Sequence, residues 1–323
     1  MLTAIIRSDT IVGLLLAYLI SAALVGCLWF MGVSGSSVTE LLLTHWAFSW
    51  TENGGTGVVL LSTVLLAGTA VFARVRFREI KETLGGRNLS MLAMVSIIAT
   101  QANVLFFRPD VLVANLVLVA VFMLIFYTYK KESALSEIFH VGLGIGLASL
   151  FVGQSVMLVL SVAFSLLMLR SGNIKEWIVF LLGLVMTAVF MALVVVWTEE
   201  PVLSFQRTIQ SSWLASVSTS RLSIGHIVLL MMVFLSMSKA LSNITAGTVH
   251  LRNISLVNLG WIFGVALMIL ILGVDWRAGL VLAAFPLSNL MAQFIESMNR
   301  WWIADLLLLA LITAPIFSIL WPI

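Results

Sequence analysis

Long apolar runs with almost no charged residue recur along this chain and constrain its fold more than any other feature. Most have about 20 residues, the length that an α-helix needs to cross the hydrocarbon core of a bilayer. A segment in lipid must satisfy its own backbone hydrogen bonds, so these runs predict helices. Hydrophobic residues make up 61% of the 323 residues and charged residues only 10%, too few to cover a soluble domain. We therefore expect an all-α, polytopic membrane protein that forms one integral-membrane domain over residues 1–323.

The runs predict ten or eleven transmembrane helices, and the number depends on one unusual stretch. Residues 138–169 contain no Lys, Arg, Asp or Glu, and they are too long for one span and too short for two ordinary ones. Glycines lie along the stretch, so we favour a hairpin of two short helices that breaks near Gly153. One long tilted helix is the alternative. The other predicted spans cover about 11–31, 58–72, 89–107, 111–129, 177–197, 224–237, 256–272, 279–294 and 301–320.

The positions of the basic residues predict the orientation. If the N-terminus is cytoplasmic and every span crosses once, 13 of the 17 Lys and Arg residues lie inside, as the positive-inside rule requires. A single crossing at 138–169 would move Arg170 and Lys175 outside. We therefore predict a multi-pass protein that is surrounded by the lipid bilayer and has a cytoplasmic N-terminus. The basic excess has a topological explanation, so we expect no nucleic-acid partner.

Few residues suggest chemistry inside the membrane. The four histidines and the single cysteine are scattered, so we expect no metal site, and no motif identifies a cofactor. No charged residue lies clearly in the centre of a predicted span. The most polar residues there are Asn115, Gln154 and His226, with His226 expected near the interface, and hydrogen bonds between helices are the simplest role for all three.

The predicted outer face carries both acids and arginines. A carboxylate can act as a general base, and the guanidinium fork of arginine suits phosphate. Together they would suit a lipid-linked phosphate substrate, although solvated loops and interfacial ion pairs are the alternative. The residues concerned are Glu40, Glu52, Asp110, Glu199, Glu200 and Asp275, with Arg108, Arg207, Arg221 and Arg277.

The central stretch FFRPDVLVANLVLVAVFMLIFYTYKKESALSEIFHVGLGIGLASLFVGQSVMLVLSVAFSLLMLRSGNIKEWIVFLLGLVMTAVF resembles a family of uncharacterised multi-spanning inner-membrane proteins of Bacteroidota. The start, MLTAIIRSDTIVGLLLAYLI, and the late stretch AAFPLSNLMAQFIESMNRWWIADLLLLALI resemble the same family. The resemblance covers most of the chain and implies a membrane protein of the cell envelope.

The same centre is similar, more distantly, to the GT-C superfamily of integral-membrane glycosyltransferases. The matching pieces are Arg108-Pro109-Asp110, Lys130-Lys131, the small-residue segment 142–148 and Arg170. The resemblance implies a polyprenyl-phosphate-linked sugar donor that is used at the outer face. It also implies a catalytic acid in the first external loop, where Glu40 and Glu52 are the only acids. The Asp or Asp-Glu with a nearby tyrosine that is usual there is missing.

Three functional hypotheses follow. The first is a GT-C-like transferase in which Glu40 is the catalytic base and Asp110 a second acid, while Arg108, Arg207 and Arg221 hold the phosphate. The second is a non-enzymatic scaffold or assembly subunit of a cell-envelope machine, which would bind another membrane protein. The third is a lipid or small-molecule transporter in which the break at 153–155 places Gln154 in a binding site.

Overall fold

The computed structural model describes residues 19–20, 55–77, 87–101, 109–129, 131, 133–170, 173–198 and 223–320. Every regular element in these ranges is a helix. In chain order the elements are α1 Gly55–Phe77, α2 Arg87–Thr100, α3 Pro109–Thr128, α4 Leu135–Phe151, a 3-10 turn Gly153–Met157, α5 Leu158–Leu169, α6 Ile174–Thr198, α7 Ile224–Ala246, α8 Val249–Leu272, α9 Trp276–Leu282, α10 Ala284–Glu296 and α11 Trp301–Leu320.

Several of these helices have the length and composition of membrane spans. Among the described residues, four helices are long and apolar enough to cross a bilayer, and a fifth span results if the bent pair α9 and α10 is counted as one. The four are Pro109–Thr128, Ile224–Ala246, Leu251–Leu272 and Trp301–Ser318. The prediction of a helical protein with several helices of spanning length is therefore confirmed.

The helices alternate in direction, so their ends gather at two levels. At one level, the His226 side chain at the start of α7 meets Gln101, which follows α2, and Trp276, which begins α9. At the other level, Asn243 near the end of α7 meets Gln293 near the end of α10, and α5 ends beside Arg170. We call these levels the His226 end and the Arg170 end.

The stretch 138–169 reverses direction, as the hairpin prediction requires. The helix α4 ends at Phe151, Val152 is extended, and the 3-10 turn leads into α5. The Arg170 Nη1 atom then donates to the Thr128 carbonyl oxygen at 3.0 Å. Because Thr128 lies just before α4, the chain has returned to the level at which α4 started. The hairpin with a break near Gly153 is therefore confirmed, and one long helix is excluded.

Glycines allow α4 and α6 to approach closely. A Cβ on Gly183 would lie 2.8 Å from the Leu143 nitrogen and 3.1 Å from the Gly142 Cα, closer than real side chains tolerate. The Thr187 hydroxyl donates to the Leu143 carbonyl oxygen at 3.3 Å across the same interface. The small residues noted in the sequence therefore serve helix packing.

The sequence predicted a span over 279–294, and the structure shows that this segment is not one straight helix. The structure divides the segment at Ala283 into α9 and α10, which are bent by 66°. Pro286 in the first turn of α10 explains the bend, since proline has no N–H to donate and its ring would clash with the carbonyl four residues earlier. Every residue from Ala284 to Ala292 is buried, so the bent segment lies inside the bundle.

Candidate functional site

The most organised polar group surrounds His226 at the start of α7. This side chain is 4% exposed. The Ser223 backbone N–H donates to His226 Nδ1 at 3.3 Å, and the Ser223 hydroxyl lies 2.5 Å from the same nitrogen. Ser223 is the N-cap of α7, so the histidine completes a capping arrangement in which its ring replaces the usual Glu or Gln.

These contacts fix the histidine tautomer. Because Nδ1 accepts from a backbone N–H, the ring proton of the neutral imidazole must lie on Nε2. The Nε2–H then donates to Gln101 Oε1 at 3.1 Å. This orientation leaves the Gln101 amide nitrogen buried and without a hydrogen-bond partner among the described residues. The Gln101 NH₂ group is therefore a buried donor without an acceptor in the described part of the chain.

Aromatic and charged groups of α9 border the same site. The Trp276 ring packs edge-on against the His226 ring, with 5.0 Å between centroids. The Arg277 guanidinium lies 5.5 Å from the centre of the Trp276 ring. Asp275 caps α9, since its Oδ1 accepts from the Arg277 backbone N–H at 3.1 Å. We call Gln101, Ser223, His226, Trp276 and Arg277 the His226 cluster.

Asp110 is the one predicted catalytic residue that the structure describes. It lies in the first turn of α3 at the His226 end, where the helix dipole favours an acid. Its side chain is only 2% exposed, so it lies within the bundle rather than on the external surface.

The other predicted site residues divide into two groups. Glu40, Arg108, Arg207 and Arg221 lie outside the described residues. Gln154 is half-buried in the 3-10 turn, at the same end as the His226 cluster. The structure thus places Asp110 and Gln154 at one level of the bundle but on different helices.

Sequence reasoning missed the roles of Gln101, Ser223 and Trp276. A usable signal was present for Ser223, because a serine before an apolar run is a typical helix N-cap. No local signal pairs Gln101 with His226, since 125 residues separate them. His226 was expected near the interface, and the structure places it in the first turn of α7, buried between the end of α2 and the start of α9.

Asn115 was the third polar residue noted within a predicted span. It is fully buried in α3, and neither its amide nitrogen nor its oxygen has a hydrogen-bond partner in the described part of the chain. Within the same ranges, no group of three or more His, Cys, Asp and Glu side chains could hold a metal ion.

Comparison with known proteins adds no relative. No protein-family model matches the chain, and no curated protein and no solved structure matches it.

Proposed function

We propose that the chain is a multi-pass protein of the bacterial inner membrane, with the His226 end facing out. The basic residues support this orientation under the positive-inside rule. Arg277 lies at the His226 end, whereas several basic residues lie towards the Arg170 end, namely Lys131, Arg170, Lys175, Lys239, Arg252 and Arg300.

Cysteine labelling tests the orientation. In a Cys27→Ala background, Gly153→Cys introduces a thiol in the turn at the His226 end, where a new Cβ meets no atom within 4 Å. Ser136→Cys introduces one at an exposed position near the Arg170 end. A membrane-impermeant maleimide should label Gly153→Cys in intact spheroplasts and Ser136→Cys only after permeabilisation. The opposite pattern would reverse the orientation.

We propose further that the His226 end acts on a lipid-linked phosphate, as a GT-C-like transferase of a polyprenyl-phosphate-linked sugar would. The observation that carries this proposal is the Gln101 amide nitrogen, which is buried beside Trp276 and Arg277 and has no acceptor among the described residues. Such a donor suits a phosphate or sugar oxygen, Arg277 suits phosphate, and Trp276 offers an apolar face to a sugar or an isoprenoid.

In this proposal, Glu40 is the catalytic base and Asp110 the second acid. His226 is a positioning residue, because Ser223 and Gln101 engage both of its ring nitrogens. Arg108, Arg207 and Arg221 would add phosphate contacts.

The test uses the full-length protein in nanodiscs with a radiolabelled polyprenyl-phosphate hexose. Native mass spectrometry measures lipid binding, and release or transfer of the labelled hexose measures turnover. We expect Gln101→Leu to weaken lipid binding, and Glu40→Gln or Asp110→Asn to abolish turnover while lipid binding remains. Wild-type turnover in both acid variants, or no turnover and no binding in the wild type, would reject the proposal.

A further inference from the structure

A second set of polar side chains lies in the half of the bundle towards the Arg170 end, away from the His226 cluster. Its members are three asparagines, one glutamine and one serine from α7, α8 and α10, and we call them the amide cluster: Asn243, Ser255, Asn258, Asn289 and Gln293. None of them belongs to the function proposed above.

Three aromatic side chains, Phe122, Trp261 and Phe285, bound this set on the side of the His226 end, and we call them the aromatic junction. The Phe122 ring packs edge-on against Trp261, with 5.2 Å between centroids, and against Phe285, with 4.9 Å between centroids. Because both rings touch Phe122, Trp261 of α8 and Phe285 of α10 lie at the same level. All three side chains are at most 2% exposed, so the junction lies inside the bundle.

On α8 and α10, one asparagine each lies one helical turn from the junction, on the side of the Arg170 end. Asn258 precedes Trp261 by three residues, and Asn289 follows Phe285 by four, so each lies on the ring-bearing face of its helix. Because α8 and α10 run in opposite directions, both positions lie towards the Arg170 end. Both asparagines are fully buried.

The set continues to the Arg170 end. Gln293 follows Asn289 by one further turn of α10, and its Oε1 accepts from Asn243 Nδ2 at 3.2 Å. Gln293 and Asn243 each lie three residues from the end of their helix. A ligand that enters between these two helix ends would therefore meet amides along one face of α10 up to the junction.

Most of the hydrogen-bonding capacity of this set is unused. Asn289 Oδ1 accepts from the Ser90 hydroxyl at 2.9 Å, but the Asn289 amide nitrogen has no partner among the described residues. The same holds there for both polar atoms of Asn258. In this region, three more groups have no hydrogen-bond partner among the described residues: Ser255 Oγ, Gln293 Nε2 and, at the junction, Trp261 Nε1.

The chemistry of these groups defines the ligand. Within the described part of the chain, three amide NH₂ groups and one indole N–H of this region have no acceptor, and its unused acceptors are the Asn258 oxygen and the Ser255 hydroxyl. Because the unused groups are mainly N–H donors, a ligand that pairs with them must present several acceptor oxygens. All members of the cluster are uncharged, and a charged ligand without a counter-charge would be costly to bury.

We propose that the amide cluster is a binding site for an uncharged, oxygen-rich solute of the polyol or sugar class, entered from the Arg170 end and closed at the aromatic junction. Asn258 and Asn289 bind the solute oxygens by direct hydrogen bonds, and Trp261 forms the closed end. This site is separate from the His226 cluster and does not depend on the transferase proposal.

The experiment measures ligand-induced stabilisation of the full-length protein in nanodiscs. Erythritol and D-glucose are the uncharged probes, and sodium phosphate is the charged comparator. A ligand that binds only the folded state raises Tm in a saturable manner. We expect saturable shifts with at least one uncharged probe and none with phosphate. Asn258→Leu and Asn289→Leu should weaken binding roughly tenfold or more, since each removes hydrogen bonds without changing side-chain volume greatly.

Asn115→Leu is the matched control. It removes another buried asparagine with unused amide atoms, but on the opposite side of the aromatic junction, so it should leave the probe-induced shift intact. If Asn258→Leu does not yield monodisperse protein, Asn289→Leu and Ser255→Ala carry the test. The proposal is overturned if neither uncharged probe produces a saturable Tm shift, in which case the amide cluster holds bound water only. It is also overturned if the shift persists in all cluster variants.

Discussion

The hydrogen bond between His226 and Gln101 makes a quantitative prediction about stability. In His226→Leu, the Ser223 backbone N–H and Gln101 Oε1 both lose their partner, and the Gln101 nitrogen already has none among the described residues. An orphaned buried polar group costs about 1–3 kcal/mol. We therefore expect the free energy of unfolding to fall by roughly 2–5 kcal/mol in this variant.

Gln101→Leu should behave differently. It orphans only the His226 Nε2–H, and at the same time it removes the Gln101 amide nitrogen that has no acceptor among the described residues. The two effects oppose each other, so we expect a change of about 1 kcal/mol or less. In the double variant only the Ser223 N–H remains unpaired, so its destabilisation should be smaller than the sum of the single variants by roughly 0.5–3 kcal/mol.

Unfolding of the purified protein in mixed micelles, followed by tryptophan fluorescence as denaturant is added, provides the free energies for this cycle. If the two changes in the free energy of unfolding are strictly additive, the assigned tautomer and the unpaired Gln101 amide are refuted. A Gln101→Leu variant that is less stable than His226→Leu would refute them as well.

Three further substitutions test the packing of the bundle. Gly183→Val should lower the free energy of unfolding by about 1–3 kcal/mol, because the new side chain overpacks the interface with α4. Gly68→Ala should not destabilise the protein, because a Cβ there meets no atom within 4 Å. Equal effects of the two substitutions in thermal unfolding would contradict the assigned interface. Arg170→Met should lower the free energy of unfolding by roughly 3 kcal/mol, because it leaves the Glu176 carboxylate, 2.8 Å away and only 13% exposed, without its partner. Denaturant unfolding should show a smaller loss for Glu176→Gln. The reverse order would contradict the assigned ion pair. Gly273→Ala should cost about 1 kcal/mol, because this glycine has a φ of 63°, while Gly273→Asn should cost less; the midpoint of thermal unfolding ranks the two variants.

The positions of most helices could be predicted from the sequence because the signal is local. The predicted span 111–129 corresponds to α3, and the predicted span 301–320 corresponds to α11. The hairpin was also predictable, since the length of the uncharged stretch fits neither one span nor two full ones. Pro286 indicated that the segment could bend. Hydropathy alone does not show this, because a run that contains a proline is as apolar as one without it.

The candidate sites were much less predictable. Asp110 and Gln154 were chosen for their residue types, and the structure places them at one end of the bundle without bringing them together. The partners that define the His226 cluster come from α2, α7 and α9, and hydropathy cannot pair residues on different helices. The amide cluster was missed because isolated asparagines within apolar runs are expected as ordinary contacts between helices.

The sequence by itself determined that this chain forms apolar helices and that some of them have spanning length, and it favoured a reversal near Gly153. These properties depend on the transfer of side chains and backbone out of water, which each segment undergoes almost independently. Only the tertiary structure decided which polar groups share a hydrogen bond and which stay buried without one. That outcome depends on the distance between atoms that are remote in sequence, such as His226 Nε2 and Gln101 Oε1, and packing alone fixes those distances.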